Sequence, residues 1–493
     1  MKTKSILLTT AACALLSTSA SANMTFNAAP PPNDVQKKYF EWENVAGGLH
    51  CKTKGKLKEL VGEPNKCYLN LDECQAGKDA LAGKLDKEMV QLFADMIAID
   101  DSKDKPHFVN QCPGDGPPFL HLLAMKGLGY AQAKEHLPAL LKLVDDKRIK
   151  NAGANIRGAV TDAIWHMGDK KQGIPALKRL IEFDTRNDDY KPLALQTLGR
   201  WKSDVAVEWC AETLKGSSNK KLREPCIFYL GTMKAKKHKK LLVRSFEQHP
   251  EVTARAFGLM GDKSAVKELE SFLDEKDWPP QKRIPAIVAL INLGKSKKYG
   301  KDLDLYLQGK KPLTKKELEK QKKEKAKIAK KKKAKQKKKA QKKFAEKWKK
   351  RTDKVDVKIA QAAAMEAVLV QSKKDGAKVN KALKAAMNKK DKKKWQAHVY
   401  ATIALAQRGD KKAAKAVGKF LDDPQEKVRN SVLDAIGGRD DVPGANWMNR
   451  GQGAVADKAL IKNVFDYYDN EAKKQRKTKA LKAVVAIRQM SAK

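Results

Sequence analysis

The sequence predicts an all-α fold: an α-solenoid of helical pairs with a disulfide-rich N-terminal cap and a long Lys-rich helical insertion. Three observations carry that expectation. Glycines that close apolar-periodic segments recur at Gly168, Gly199, Gly231, Gly261 and Gly294, in steps of 31, 32, 30 and 33 residues. Two helices of about 12 residues with their turns fill such a period, the unit of an α-solenoid. Four of the seven cysteines crowd into residues 51–112, and residues 310–351 hold 22 Lys and one Arg against four Glu, a net +19.

At 493 residues the chain is long enough for two or three domains or for one long array. Hydrophobic residues make up 41% and aromatics only 6%, which suits thin helical layers better than one large core. The net charge of +45 implies attraction to anionic surfaces.

At the N-terminus Lys2 and Lys4 precede an apolar run over 6–16 and an Ala20-Ser21-Ala22 site, the pattern of a removed secretory signal over 1–22. The run is too short to span a bilayer. A lipoprotein carrying lipid on Cys13 is the alternative, although Thr10 stands where that signal has Leu. No other segment has the pattern of a membrane span, so the expected location is periplasmic or secreted. Removing the signal leaves Cys51, Cys67, Cys74, Cys112, Cys210 and Cys226, an even set that fits three disulfides. Clustering suggests two bonds within 51–112 and one between Cys210 and Cys226. Buried free thiols are the alternative. Without a Cys-x-x-Cys pair, structural zinc is disfavoured.

Residues 23–117 form the expected cap. A Pro30-Pro31-Pro32 lead-in is followed by irregular text and one helix over roughly 84–99, with Met89, Leu92, Met96 and Ile97 on one side. Such a segment would cover the first open end of the array, where no further repeat stacks. Repeats are expected over 118–309. Residues 156–167 read as a first helix ending at Gly168-Asp169, and Ile174, Leu177, Leu180 and Ile181 line the next; Gly261-Asp262 leads likewise into Ala265, Val266, Leu269 and Leu273. Glycine takes the left-handed conformation that ends a helix, and the adjoining Asp caps the next by accepting from its free N–H groups.

Over 353–493 the pattern resumes, with apolar helices over 359–370 and 395–407. The clearest unit then runs Gly409-Asp410-Lys-Lys-Ala413-Ala414, Val417, Phe420-Leu421-Asp422-Asp423-Pro424, Val428-Arg429, Val432, Ala435-Ile436-Gly437. This text resembles HEAT repeats of the phycobilisome-lyase-like kind, GD-x-x-A-x-x-x-L followed by V-R-x-x-A-x-x-A-L-G, over roughly 118–308 and 353–440. The resemblance implies an ion-pairing role for Arg429, and by a looser match Arg157, toward acidic groups of the neighbouring unit. Proteins with such repeats serve as scaffolds, adaptors and enzyme accessories. A long polar loop over 438–453 carries Trp447 and Met448, read as an anchor with a contact tip as the alternative. Helices over 456–468 and 470–490 close the chain.

The insertion opens with a capping box, Thr314-Lys-Lys-Glu317. One helix from Lys315 to Arg351 would be about 55 Å long at roughly 1.5 Å per residue. Its apolar residues Leu318, Ile328, Phe344 and Trp348 are scattered, and only Phe344 and Trp348 share a face for docking on the repeats. Lys330, Lys331, Lys332 and Lys333, then Lys335, Lys337, Lys338 and Lys339, repel one another at i, i+3 and i+4. These lysines are the candidate polyanion-binding residues, on an arm expected to order when an anionic partner neutralises it; a solvated spacer is the alternative. Lysine suits non-specific contact. The stretch lacks the interleaved aromatics of a base-stacking platform and the apolar face of a membrane-inserting helix. Specific nucleic-acid recognition is therefore not expected.

Eight dispersed histidines show no metal spacing, and His166 beside Trp165 reads as a packed histidine. Gly127-Leu-Gly129 reads as a turn, and Asp188-Asp189 and Asp440-Asp441 as solvated loop acids. No P-loop and no G-x-S-x-G occurs. The expectation is a non-enzymatic exported scaffold, without a cofactor, that binds a protein or anionic macromolecule, a membrane surface among the candidates. A polyanion-binding protein acting mainly through the arm and an accessory or lyase-like enzyme component are the alternatives.

Overall fold

A computed structural model describes residues 34–45, 48–61, 71, 74–97, 120–145, 153–183, 190–216, 220–275, 278–330, 334–352, 356–371, 373–387, 395–437, 458–471 and 473–491. The expected signal over 1–22, the loop over 438–453 with Trp447 and Met448, and both paired-acid sites lie outside these residues.

Helix α1 (Asp34–Tyr39) leads into β1 (Phe40–Val45), which pairs antiparallel with β2 (Gly48–Thr53), Phe40 opposite Thr53 and Trp42 opposite Cys51. This two-stranded hairpin is a short exception in an otherwise helical structure, and the all-α class holds. Its strand text opens Phe-Glu-Trp-Glu, which alternates with period two. Helices α2 (Gly55–Val61), α3 (Gln75–Ala82) and α4 (Lys87–Ile97) follow. Met89, Leu92, Phe93, Met96 and Ile97 are buried on α4. The Phe93 ring lies against α5 (Leu120–Ala131) at Gly127, where a Cβ would come within 2.3 Å of it.

From α5 onward the helices come in pairs. The second helices are α6 (Leu137–Asp145), α8 (Lys170–Glu182), α10 (Val207–Gly216), α12 (Lys239–Ser245), α14 (Val266–Glu275) and α16 (Ser296–Leu307). Their first helices are α5, α7 (Gly153–Met167), α9 (Lys191–Arg200), α11 (Lys220–Thr232), α13 (Pro250–Met260) and α15 (Pro280–Leu290). The Lys-rich segment supplies α17 (Lys315–Ala329) and α18 (Ala334–Thr352). Pairing then resumes with α19 (Val357–Ala367) and α20 (Lys373–Met387), and α21 (Trp395–Gln407) and α22 (Lys411–Lys419). The helices α23 (Glu426–Gly437), α24 (Lys458–Asn470) and α25 (Lys474–Ser491) end the chain.

First helices pack side by side in the order α5, α7, α9, α11, α13, α15, α19, α21, α23, α25. Small residues make this possible. A Cβ on Gly231 would stand 2.4 Å from Ala256 Cα, and one on Gly129 or Gly258 would stand 2.8 Å from the Cα of Ala163 or Ala289. Helix backbones meet directly at these points. Gly168, Gly261 and Gly409 take φ of 69°, 70° and 89°. Asp169 then accepts from Gln172 N at 3.1 Å, Asp262 from Ser264 N at 3.0 Å, and Asp410 from Lys412 N at 3.1 Å.

Two of the aligned glycines do otherwise. Gly199 and Gly231 lie inside α9 and α11, and the left-handed turn falls three residues later, on Lys202 (φ 56°) and Lys234 (φ 53°). At Gly231 glycine is needed for close packing rather than for the turn. The contacts described for Arg157 and Arg429 are with rings and a carbonyl. Arg157 lies over the rings of Phe183 and Tyr190, at 5.2 and 5.5 Å, and Arg429 donates to the Asp423 carbonyl of its own unit. Flat guanidinium faces suit ring and carbonyl partners as well as carboxylates. A carboxylate pair forms elsewhere: Arg255 on α13 donates to Glu366 on α19, with Nε–Oε1 2.8 Å, and joins the two helices that flank α15.

The chain's two ends meet. Helix α25 packs on α3, and Arg488 Nη1 donates to Tyr130 O at 2.9 Å. Lys78 on α3 pairs with Asp469 and lies over the rings of Phe465 and Tyr468 at 6.0 and 5.6 Å. The N-terminal segment was expected to cover an open end; it packs instead against both the first and the last helices of the series, which closes on itself.

The expected Cys210–Cys226 disulfide is not formed: Cys210 on α10 and Cys226 on α11 are fully buried free thiols, and burial pushes the Cys210 thiol up. Cys74 is buried beside Leu71. The Cys51 side chain and all of Cys67 and Cys112 lie outside the described residues.

Candidate anion-binding hairpin

The Lys-rich segment is not one 55 Å helix. Helices α17 and α18 fold back on each other, because residues far apart in sequence meet in two places. Near the base, Arg351 Nε and Nη2 donate to Glu317 Oε1 and Oε2 at 2.8 and 3.0 Å. Further out, Trp348 Nε1 donates to Glu324 Oε2 at 3.0 Å and Lys347 Nζ reaches Glu324 Oε1 at 2.5 Å. At roughly 1.5 Å per residue, α17 reaches only about 22 Å, less than half of the expected projection. The single-helix expectation failed because high helix propensity does not resist a reversal where like charges crowd together.

Thr314 starts α17 with a closed capping box: Glu317 N donates to Thr314 Oγ1 at 3.2 Å and Thr314 N donates to Glu317 Oε2 at 2.9 Å. Glu317 therefore caps the helix and holds the returning Arg351 at once. Burial pushes its carboxyl up, but the Arg351 and Thr314 hydrogen bonds outweigh this and leave it below the usual range. Lys347 and Trp348 likewise hold the Glu324 carboxyl down. Trp348 is 7% exposed, tilted against Phe344 with ring centroids 6.2 Å apart. It was expected to dock on the repeats; it packs within the hairpin, outside the main core.

At the root, Asp356 N donates to Gly309 O at 2.8 Å, so the chain leaves and re-enters the array at one point. Asp356 then caps α19 through Lys358 N at 3.0 Å. The packing of α15 and α16 against α19 thus continues past the insertion.

Two of the four acids are turned toward the opposite helix, while most lysines point outward. Lys330, at the end of α17, is exposed, as are Lys335, Lys338 and Lys339 on α18; Lys337 is half-buried. Lys331, Lys332 and Lys333 lie outside the described residues. The densest charge therefore sits at the end away from the root. Such an arrangement can bind phosphate, sulfate or carboxylate arrays by charge.

Elsewhere His166 is 7% exposed, edge-on to Tyr130 at a centroid distance of 4.7 Å. Among the described residues no group of three or more His, Cys, Asp or Glu is placed to hold a metal. No described helix is long and apolar enough to cross a membrane. Neither a protein-family model nor a curated protein matches this sequence.

Proposed function

We propose that this protein is a non-enzymatic exported scaffold, an α-solenoid of HEAT-like repeats that binds a protein or other macromolecular partner and attaches to polyanions through its Lys-rich hairpin. The observation that carries this reading is the sorting of charge in the hairpin. Glu317 and Glu324 are spent holding α17 to α18, and the lysines are left to solvent. A spacer would need no such sorting. The N-terminal segment is proposed to be pinned by disulfides in an oxidising compartment.

Because Gly309 and Asp356 are already hydrogen-bonded, a short Gly-Ser link can replace the hairpin without disturbing the repeats. The test is capture of partners from envelope extract by the mature protein, with and without the hairpin, at low and high salt. Loss of capture on deletion or in high salt makes the hairpin the attachment site. Capture that survives both removes the hairpin from the function and leaves the repeat surface.

A further inference from the structure

A second basic surface runs along one edge of the closed array. Each first helix passes to its second through a short turn, in spans 132–136, 168–172, 201–206, 233–240, 261–265, 294–298, 370–374 and 408–412. These eight spans hold 17 Lys and five carboxylates. Three of those carboxylates, Asp169, Asp262 and Asp410, are engaged as helix caps. The lysines are exposed, Lys237 and Lys298 being paired with Glu208 and Glu270, apart from Lys239, which is half-buried against Ser264 and Glu268. The return connections from second to first helices, over 146–152, 183–190, 217–219, 246–249, 276–279, 388–394 and 420–425, hold ten Lys and Arg against nine acids. Apart from the hairpin, which stands on a second-to-first connection, positive charge is thus concentrated on the first-to-second turns.

These turns form one edge, since neighbours touch in sequence. Gln132 Nε2 donates to His166 O at 3.1 Å, and Lys239 Nζ to Ser264 Oγ at 2.9 Å. Asn292 Nδ2 donates to Leu369 O at 3.0 Å, and Arg408 Nη1 to Val370 O at 3.0 Å. The contact of Arg488 with Tyr130 O brings the end of the last helix beside the end of the first. The turn lysines therefore line one edge of the series. The hairpin is rooted at the opposite edge, in a second-to-first connection between α16 and α19.

We propose that this lysine-studded edge docks on a flat anionic bilayer, independently of the hairpin. A row of point charges spread over eight turns matches a surface of phosphate headgroups. A linear polyanion binds best in a groove that tracks its backbone with aromatic platforms, and these turns bring neither. Each lysine near an anionic leaflet contributes roughly five-fold to partitioning.

The test is co-sedimentation with vesicles of phosphatidylglycerol and phosphatidylcholine, and of phosphatidylcholine alone, at low and high salt. Three proteins are compared: the full chain, the hairpin deletion, and a six-site variant with Lys170, Lys171, Lys236, Lys263, Lys297 and Lys411 each changed to Gln. Circular dichroism checks that all three are folded. The expected result is salt-sensitive binding to the anionic vesicles by the full chain and the hairpin deletion, with more than about a hundred-fold loss in the six-site variant. The deletion removes more positive charge than the six substitutions, so general charge loss would weaken it more. The proposal is overturned if the six-site variant binds as the full chain does, or if hairpin deletion alone abolishes binding. Binding to a soluble linear polyanion but not to the vesicles would also overturn it.

Discussion

Changing Trp348 to Ala removes the one large apolar side chain that α17 and α18 bury between them. Trp348 is 7% exposed. A buried Trp covers about 150–250 Å², which at about 25 cal/mol per Å² corresponds to about 4–6 kcal/mol. Measured truncations of buried Trp cost about 3–5 kcal/mol. The other main tie, the Arg351–Glu317 pair at the base, is about a third exposed and screened by solvent. The exposed ion pair of Glu324 with Lys347 contributes little, and helices of 15 and 19 residues are marginal in water when alone. Trp348→Ala is therefore expected to separate α17 from α18 while the array stays folded. Amide hydrogen exchange reads this directly: protection should fall roughly 100- to 1,000-fold in both helices and stay unchanged in α15, α16 and α19. Trp348→Phe keeps most of the burial but loses the donor to Glu324, and should fall less. Unchanged protection in α17 would refute the reasoning, as would an equal loss in α16 and α19.

Gly231→Ala sets a methyl 2.4 Å from the Ala256 Cα, where only backbone can give way, and should cost about 1–3 kcal/mol despite the better helix propensity of Ala; an unchanged or raised melting temperature would contradict the close-approach role. Glu366→Ala strips the carboxylate from Arg255, whose side chain is 16% exposed, and should cost about 3–5 kcal/mol by chemical denaturation. The double change Arg255→Met with Glu366→Leu should recover most of that loss, and no recovery would mean the pair is not the source. Burial pushes the Glu471 carboxyl up, but hydrogen bonds from Lys473 N, Arg476 and the Tyr467 hydroxyl outweigh it and hold it at about 2. A depressed carboxyl stabilises the fold above its ordinary value of 4.5 and loses that contribution as pH falls toward about 2. Exchange protection of α24 and α25 should therefore decline across that window in the parent, with no such decline in Glu471→Gln. Peptide mapping should find Cys210 and Cys226 as two free thiols; a bond joining them would contradict the buried-thiol arrangement.

Much of the helical order was legible because it is local. Trp395 to Gln407 reads as one helix and forms one, and Gly-Asp steps at 168, 261 and 409 mark turns whose geometry needs only neighbouring residues. The Gly199 and Gly231 turns were misplaced for a physical reason: glycine serves both left-handed turns and close helix contact, and spacing alone does not separate the two uses. The hairpin was hidden because its closure depends on Glu317 finding Arg351 and Glu324 finding Trp348, pairings 34 and 24 residues apart. Contacts as distant as Arg488 with Tyr130 leave no local trace at all. The basic edge did leave one, since Lys follows the helix-ending residue in turn after turn (Lys170, Lys263, Lys295, Lys411). Its meaning emerges only once those turns are seen to share an edge.

The central claim, that the hairpin is a preformed electrostatic attachment, is tested most directly by the salt dependence of binding to a soluble polyphosphate, with and without residues 315–352. For nucleic acids, log K against log salt falls with a slope of about −0.7 to −0.9 per phosphate neutralised, so a lysine-borne site shows itself as a steep slope. The account predicts a steep slope for the full chain that loses several units, along with most of the affinity, when the hairpin is removed. Equal affinity and equal slope in the two proteins would contradict it.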